Sequence, residues 1–467
     1  MTDLPALLVV APSLHCALDP NFRPISLGNR AYRTAVKAGG QGVPLAIAIE
    51  RNEGLTSVYR TEIFPSGSIH NDATQIYVER LVKFLLWQIG GWKITVGGPA
   101  ELGAFLQQVY SPTGARAFDV QIMERVYEKT FTVASCAFDQ TPASNESSIA
   151  LGGHLDGCRI GFDLGASDYK IAAIIDGHAV FATEIPWDPR IETNSDWHYR
   201  KINEGLKLAA SKLPRVDAIG GSSAGIYIDN KVMVASLFRS VPAEEFAAKV
   251  KPLFLRLQQE WKVPLEVAND GDVTALAGAM SLGVSGVLGI AMGSSQAVGF
   301  LDQDGRITGW LNELAFAPVD YSAAAAADEW SGDIGCGVQY FSQQAVVKLA
   351  PAAGITLPPG HPAEQLKHVQ ELQKQGDPRA MRIFETIGVY LGYALAHYAD
   401  LYNFGHVLTL GRVTSGAGGD IILARARQVL EKEFPELAAR ISVTLPDEKS
   451  KRLGQAVAAA SLPALKK

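Results

Sequence analysis

Cysteine is scarce and scattered: Cys16, Cys136, Cys158 and Cys336 are the four in 467 residues, and no two form a C-x-x-C pair. That spacing argues against a disulfide scaffold or a cysteine-based zinc site and fits reduced thiols in a cytoplasmic protein. Histidine is thin as well, nine in all with no H-x-x-x-H or H-E-x-x-H, so a histidine metal centre is not expected. Long apolar runs are missing. No stretch approaches the roughly 18 residues of a membrane span, and the leading "ALLVVAPS" lacks a basic flank and reads as a buried strand. Basic clusters are missing too. The net charge is −6, with no long Lys/Arg run, which leaves no nucleic-acid footprint. Residues 1–155 show no helix-turn-helix pattern.

What remains is a chain with 47% apolar and 19% charged residues, the balance of a globular protein. Its length calls for two or three domains. Residues 1–155 read as a mixed α/β domain: "VPLAIAIERNEGLTSVYRTEIF" predicts a hairpin turning at Asn52-Glu53-Gly54, and "TQIYVERLVKFLLWQIG" has helical spacing. "KITVGG" and "PAELGAFLQQVY" follow as strand and helix, faintly echoing residues 406–430. As a dinucleotide loop, "VGGPAELGAFL" lacks G-x-G-x-x-G spacing. "AFDQTPASNESSIALGGH" is the linker candidate. From 158 onward strands alternate with helices, with glycines at strand ends, as in sheets that bind ligands at their carboxyl edge. "AAAAADEW" predicts an exposed helix without chemistry.

Five pieces of the second part stand in an order that matters. Asp163-x-Gly165-x-x-x-x-Lys170, with Ser167 in the turn, lies between two strands. "GGSSAG" (220–225), with Ser223, closes a strand. Asn269-Asp270 joins a strand to a helix, where either residue would serve as a helix N-cap. "MGSSQAVGF" (292–300) is a second Gly/Ser turn, with Gly293 and Ser294. "LGRVTSGAGGD" (410–420) is a Gly-rich loop with Gly411 and Gly416. Singly, each is an ordinary turn. Together they could hold a polyphosphate between two lobes, with turn N–H groups and hydroxyls on phosphate and an acid on Mg²⁺.

That order resembles the actin, hexokinase and heat-shock chaperone superfamily. More narrowly, "GFDLGASDYKIAAIID", "NDGDVTALAG", "GSSQAVGFLDQDGRITGWLNE", "GCGVQYFS" and "LGRVTSGAG" resemble the ROK family (repressors, unassigned frames and sugar kinases) over residues 158 to about 465. The resemblance implies an α/β, two-lobed actin-like ATPase (ribonuclease H-like) fold with an additional N-terminal α/β domain. Residues 156–282 would form the first lobe with a closing helix at 452–462, and 283–451 the second. It implies ATP- and Mg²⁺-dependent transfer of a phosphoryl group to a sugar or polyol hydroxyl. Asp270 would be the catalytic base. Asn269, Glu313 and Ser223 would bind substrate. Asp163, Gly165, Ser167, Lys170, Gly293, Ser294, Gly411 and Gly416 would bind nucleotide and phosphate, and Asp163 would meet Mg²⁺ through phosphate or water.

The sequence departs from the family at several sugar contacts. In the G-E-x-G-H segment the Gly and His fall on Ala315 and Phe316. An expected Glu falls on Val338 and an expected Asn on Ser236. The C-x-C-G-x-x-G-C zinc run survives only as Cys336, so no zinc is expected. The second phosphate turn reads Gly293-Ser294-Ser295 in place of Gly-Thr-Gly, and Arg412 replaces a Gly. These changes argue against a standard glucokinase. They leave two readings ahead of a DNA-binding repressor: a carbohydrate kinase, or a catalytically silent sugar sensor or scaffold. Expected partners are a small sugar or polyol and a nucleotide, with no nucleic acid and no membrane. A homodimer is compatible with all of this.

Overall fold

The computed structural model describes residues 5–146, 151–166, 168–445 and 448–465. Its N-terminal region runs α1 (Ile25–Gly39), β1 (Val43–Glu50), β2 (Thr56–Ile63), α2 (Asn71–Ile89), β3 (Lys93–Gly97), α3 (Ala100–Val109), α4 (Ala117–Tyr127) and β4 (Thr132–Cys136). The hairpin at residues 43–63 forms as its pattern predicts. Glu53 takes a left-handed conformation in the turn, and the strands pair from Val43↔Ile63 to Glu50↔Thr56. The sheet order is β2-β1-β3-β4. β1 is antiparallel to both neighbours, and β4 is parallel to β3.

The next part holds β5 (Cys158–Leu164), β6 (Asp168–Ile175), β7 (His178–Pro186), α5 (Ser195–Ala210), β8 (Ala218–Ser223), β9 (Ile226–Ile228), β10 (Lys231–Val234), the short α6 (Ala243–Glu245), α7 (Leu253–Trp261), β11 (Leu265–Asn269) and α8 (Asp270–Leu282). Its main sheet has the order β11-β8-β5-β6-β7, with β5, β8 and β11 parallel. The third part comprises β12 (Val287–Met292), β13 (Gln296–Leu301), α9 (Gln343–Ala352), α10 (Pro362–Lys374), α11 (Pro378–Ala399), β14 (His406–Leu410), α12 (Ala417–Glu433), α13 (Pro435–Arg440) and β15 (Ser442–Thr444). Its sheet order is β13-β12-β14-β15, with the last three strands parallel. The chain ends on α14 (Glu448–Ala460), which returns to the five-stranded sheet. That contact explains two strand glycines. A Cβ on Gly161 would sit 1.8 Å from the Ala456 carbonyl oxygen, and one on Gly220 would sit 1.6 Å from that of Ala459. Only glycine admits the helix backbone so close.

Three sequence expectations are corrected. "ALLVVAPS" is not a strand: from Pro5 it is irregular, because Pro5 and Pro12 cannot donate to a ladder. The arm instead lies along α11 and α12, where Leu14 N–H donates to the Tyr393 hydroxyl at 3.4 Å. "AAAAADEW" is a loop, not a helix. Asp320 accepts from Ser322 N–H and Asp328 from Ser331 N–H, both at 2.7 Å, and a bridge pairs Ala327 with Ile334. Turn chemistry outweighs the helical preference of alanine here. The linker candidate is partly tied down, since Asn145 bridges Thr56 and Glu146 pairs with Arg51.

The N-terminal region shares one apolar core with the β12–β15 part, running from Leu45 and Phe84 to Ile290 and Tyr398. A buried ionic cluster joins them as well. Asp333 meets Arg80 at 2.7 Å, Arg116 at 2.8 Å and Lys83 at 3.2 Å, and Lys83 also meets Asp119 at 3.1 Å.

Candidate active site

A cavity of about 430 Å³ opens where all three parts meet. Asn269, Asp270, Gly293, Ser294, Glu313 and Gly411 line it together. The parallel strands account for the grouping. β11 ends at Asn269, β12 at Met292 and β14 at Leu410, so each places its following residues at a carboxyl edge.

Asn269 caps α8: its Oδ1 accepts from Gly271 N–H and its Nδ2 donates to the Gly225 carbonyl, each at 2.7 Å. The cap holds Asp270 at the first helical position, on the cavity. Burial, and secondly the charge of Asp163, raises Asp270 to a pKa of about 6. Two residues on, buried Asp272 is raised to about 7, again mainly by burial, although Phe300 N–H and Asn312 Nδ2 both donate to its Oδ1.

Glu313 is positioned by the N-terminal region. The last turn of a helix leaves carbonyls without partners. In α2 those of Trp87, Gln88 and Ile89 accept from the N–H groups of Glu313, Asn312 and Leu311 at 3.0, 2.9 and 3.3 Å. Asn312 stands at φ 52°, a left-handed conformation that asparagine tolerates. Its Oδ1 accepts from Tyr402 at 3.0 Å. Glu313 so held has its pKa raised to about 8 by burial and then by the charges of Asp270 and Asp272.

Asp163, Gly165, Lys170, Ser223 and Gly416 are not among the residues that line the cavity. Asp163 accepts from the Ser222 hydroxyl at 2.7 Å, and Lys170, its cross-strand partner, stands 3.8 Å away. Burial nevertheless raises the Asp163 pKa. Gly165 accepts from Trp187 Nε1 at 2.8 Å in the turn that follows. Ser167 lies outside the described residues. Ser223 does not reach the cavity: it is fully buried and its hydroxyl accepts from Tyr227 at 2.6 Å. The glycines before it serve packing, with Gly220 under α14 and Gly221 against the Phe162 ring. Gly416 precedes α12 at φ 70°. Gly411 stands at φ +99° with the Met292 backbone 2.4 Å from where a Cβ would lie, so the fold itself requires glycine there. Gly293 differs, since a Cβ there would meet nothing closer than 3.6 Å.

Ser236, Ala315, Phe316 and Val338, where the resemblance expected polar sugar contacts or a glycine, all line the cavity. So do Trp87, Phe118 and Ile122 of the N-terminal region and Asp328, Glu329 and Trp330 of the alanine-rich loop, none of which the sequence singled out. Trp87 stacks on Phe316 at 4.4 Å between centroids, and Phe118 at 5.6 Å and Trp330 at 6.3 Å lie tilted against Phe316. Among the described residues, no group of three or more His, Cys, Asp or Glu side chains could hold a metal ion.

No protein-family model matches the chain, and no curated protein matches it in sequence. Solved structures do match. A ROK family glucokinase from Streptomyces griseus, in complex with glucose and AMPPNP, is 21% identical, with 66% of this chain and 99% of that chain covered and a TM-score of 0.50. A ROK hexokinase from Thermus thermophilus is 17% identical over 66% of this chain and 97% of that one, with a TM-score of 0.52. A ROK family transcriptional regulator, a homologue of the E. coli MLC protein, is 20% identical over 66% of this chain and 79% of its own, with a TM-score of 0.53. Two thirds of the chain therefore has the actin-like ATPase fold of the ROK proteins.

Proposed function

We propose that the chain is a divergent ROK protein that transfers the γ-phosphoryl group of ATP, as its Mg²⁺ complex, to a hydroxyl of a sugar-like substrate. The observation that carries this reading is Asp270, a cavity-facing carboxyl at a strand–helix junction with its pKa raised to about 6. Such a group is ionised at neutral pH yet basic enough to take a proton from an attacking hydroxyl. Asn269 fixes it, and Glu313 offers the acceptor a second polar contact. Gly293, Ser294 and Gly411 lie on the same cavity, where they would receive phosphates. The Streptomyces griseus glucokinase, solved with glucose and AMPPNP, supports a sugar and a nucleotide as partners.

The residues fit Mg²⁺ only as an ion delivered on phosphates. Asp163 is a single carboxylate beside Lys170, not a cage of oxygen ligands. When bound, the ion would neutralise charge on the transferring phosphate. Asp163 would orient it through phosphate or water.

A second reading, a silent ligand sensor, is favoured by the apolar residues on the cavity. Phe316 and Val338 cannot pair sugar hydroxyls, and each unpaired hydroxyl costs about 1–3 kcal/mol. Titration of Mg²⁺–ATP followed by thermal shift, with a screen for ADP release, separates the two. Saturable nucleotide stabilisation and acceptor-dependent ADP support the kinase. A bound sugar-like ligand without nucleotide binding supports the sensor.

A further inference from the structure

The cavity lining is of two kinds. Asn269, Asp270 and Glu313 are polar, as are Ser236, Ser294 and, next to Trp330 in sequence, Asp328 and Glu329. Against these stands a wall of rings: Phe316 backed by Trp87 at 4.4 Å, Phe118 at 5.6 Å, and Trp330 at 6.3 Å. Aliphatic Ile122, Ile226, Val234 and Val338 add to the apolar lining. A free hexose carries hydroxyls around its whole ring and would leave several facing side chains that cannot pair with them. An amphipathic molecule would not.

The wall is a composite. Phe118 stands on α4 and Trp87 on α2, both in the N-terminal region, whereas Phe316 follows Glu313 and Trp330 stands on the alanine-rich loop. That loop is fixed to α2 and to the start of α4 through Asp333, held by Arg80 and Lys83 of α2 and by Arg116, which precedes α4. The same α2 supplies the carbonyls that seat Glu313. One structural unit therefore sets both the polar group and the rings. Trp330 is 63% exposed, so a large aromatic face stands uncovered beside a ring-lined cavity.

From this we infer that the acceptor is amphipathic, a hydroxyl-bearing ring joined to an aryl or alkyl body, as in an aryl glycoside. The N-terminal region and the alanine-rich loop hold that body while its hydroxyl end meets Asp270. The identity of the reacting end rests on the phosphoryl-transfer reading; the preference for an apolar body rests on the wall alone.

Calorimetry on the full chain tests it, with the phenyl glycosides of glucose, galactose and mannose against the free sugars. At least one phenyl glycoside should bind about tenfold or more tighter than its parent sugar. Trp330→Ala, at an exposed position, should lose about tenfold of that affinity, with Tm and Mg²⁺–ATP binding unchanged. Phe118→Ala should weaken the glycoside similarly. Free sugars binding as tightly as their glycosides, no glycoside binding at all, or both variants binding like wild type would each overturn the inference. If the glycoside binds as expected but no phosphate ester forms with Mg²⁺–ATP, the phosphoryl-transfer reading fails and the acceptor inference stands. If Mg²⁺–ATP binds and every glycoside is ignored, the reverse holds.

Discussion

Two groups of buried acids stand in this molecule, and burial acts on them with opposite results. At the junction of the N-terminal region, Glu79, Asp119 and Asp333 stand among Arg80, Lys83 and Arg116. Burial works against the charge of Asp333, yet the three cations hold its carboxyl well below the usual range, and Arg80 and Arg116 do the same for Glu79. Asp270 and Glu313 on the cavity, and Asp272 behind Asp270 on α8, have no such partners among the described residues, and their pKa values rise to about 6, 8 and 7. A low dielectric strengthens whatever charge is nearby. Supplied with cations it makes a rigid joint; without them it makes groups that exchange protons near neutrality.

Removing an acid from the joint should have the largest effect. Asp333→Ala leaves three cations around an empty position, and breaking a buried ionic group this way costs about 3–5 kcal/mol. Denaturant unfolding should show a loss of that size, and a change within error would mean that the joint is solvated. Removing an acid from the cavity should spare the fold and strike chemistry. Asp270→Asn keeps the side chain's size and caps nothing that Asn269 does not already cap. Turnover should fall by about 10²–10⁴-fold with ligand affinity nearly intact. In the wild type kcat/KM should rise as the pH rises through about 6.

The two groups also set opposite pH limits on stability. The raised acids are favoured protonated in the folded state. Their contribution is complete below the ordinary carboxylate range and is lost as the pH rises through about 6, 7 and 8. The depressed junction acids contribute above that range and fail in strong acid. Tm should therefore peak on the acid side of neutrality and fall by several degrees toward pH 8. Glu313→Gln should remove the uppermost part of that fall. A Tm that climbs from pH 5 to 8 would contradict the assignment. The smallest effect concerns the phosphate turn. Gly293→Ala has room for its Cβ within the protein, so Tm should be unchanged, while the added methyl on the phosphate turn should lower ATP affinity about tenfold, ~1.4 kcal/mol.

How much of this could be read from the sequence depended on distance along the chain. The hairpin at residues 43–63, α8 and the strands ending at Asn269, Met292 and Leu410 follow from local pattern and adjacent glycines. The faint echo of residues 406–430 at residues 93–110 shows where local pattern stops. Both are a strand, a glycine turn and a helix, within sheets ordered β2-β1-β3-β4 and β13-β12-β14-β15. In the latter β12 and β14 are parallel and their ends gather at one edge, whereas β1 and β3 are antiparallel and theirs do not. Gly97 is accordingly filled, with the Thr141 hydroxyl oxygen 1.8 Å from where its Cβ would lie. Strand direction is a long-range property that no short motif carries. Trp87, Phe118 and Trp330 were illegible for the same reason. Each reads locally as core or surface, and they meet at the cavity only through α2, α4 and Asp333.

The central claim is that the carboxyl edge of the parallel strands transfers phosphate, and ³¹P NMR tests it directly. The full chain is incubated with Mg²⁺–ATP and an acceptor shown to bind. The account predicts a new phosphate monoester resonance growing with those of ADP, and its near-disappearance in Asp270→Asn. ATP resonances that persist unchanged beside a saturating bound acceptor would contradict it.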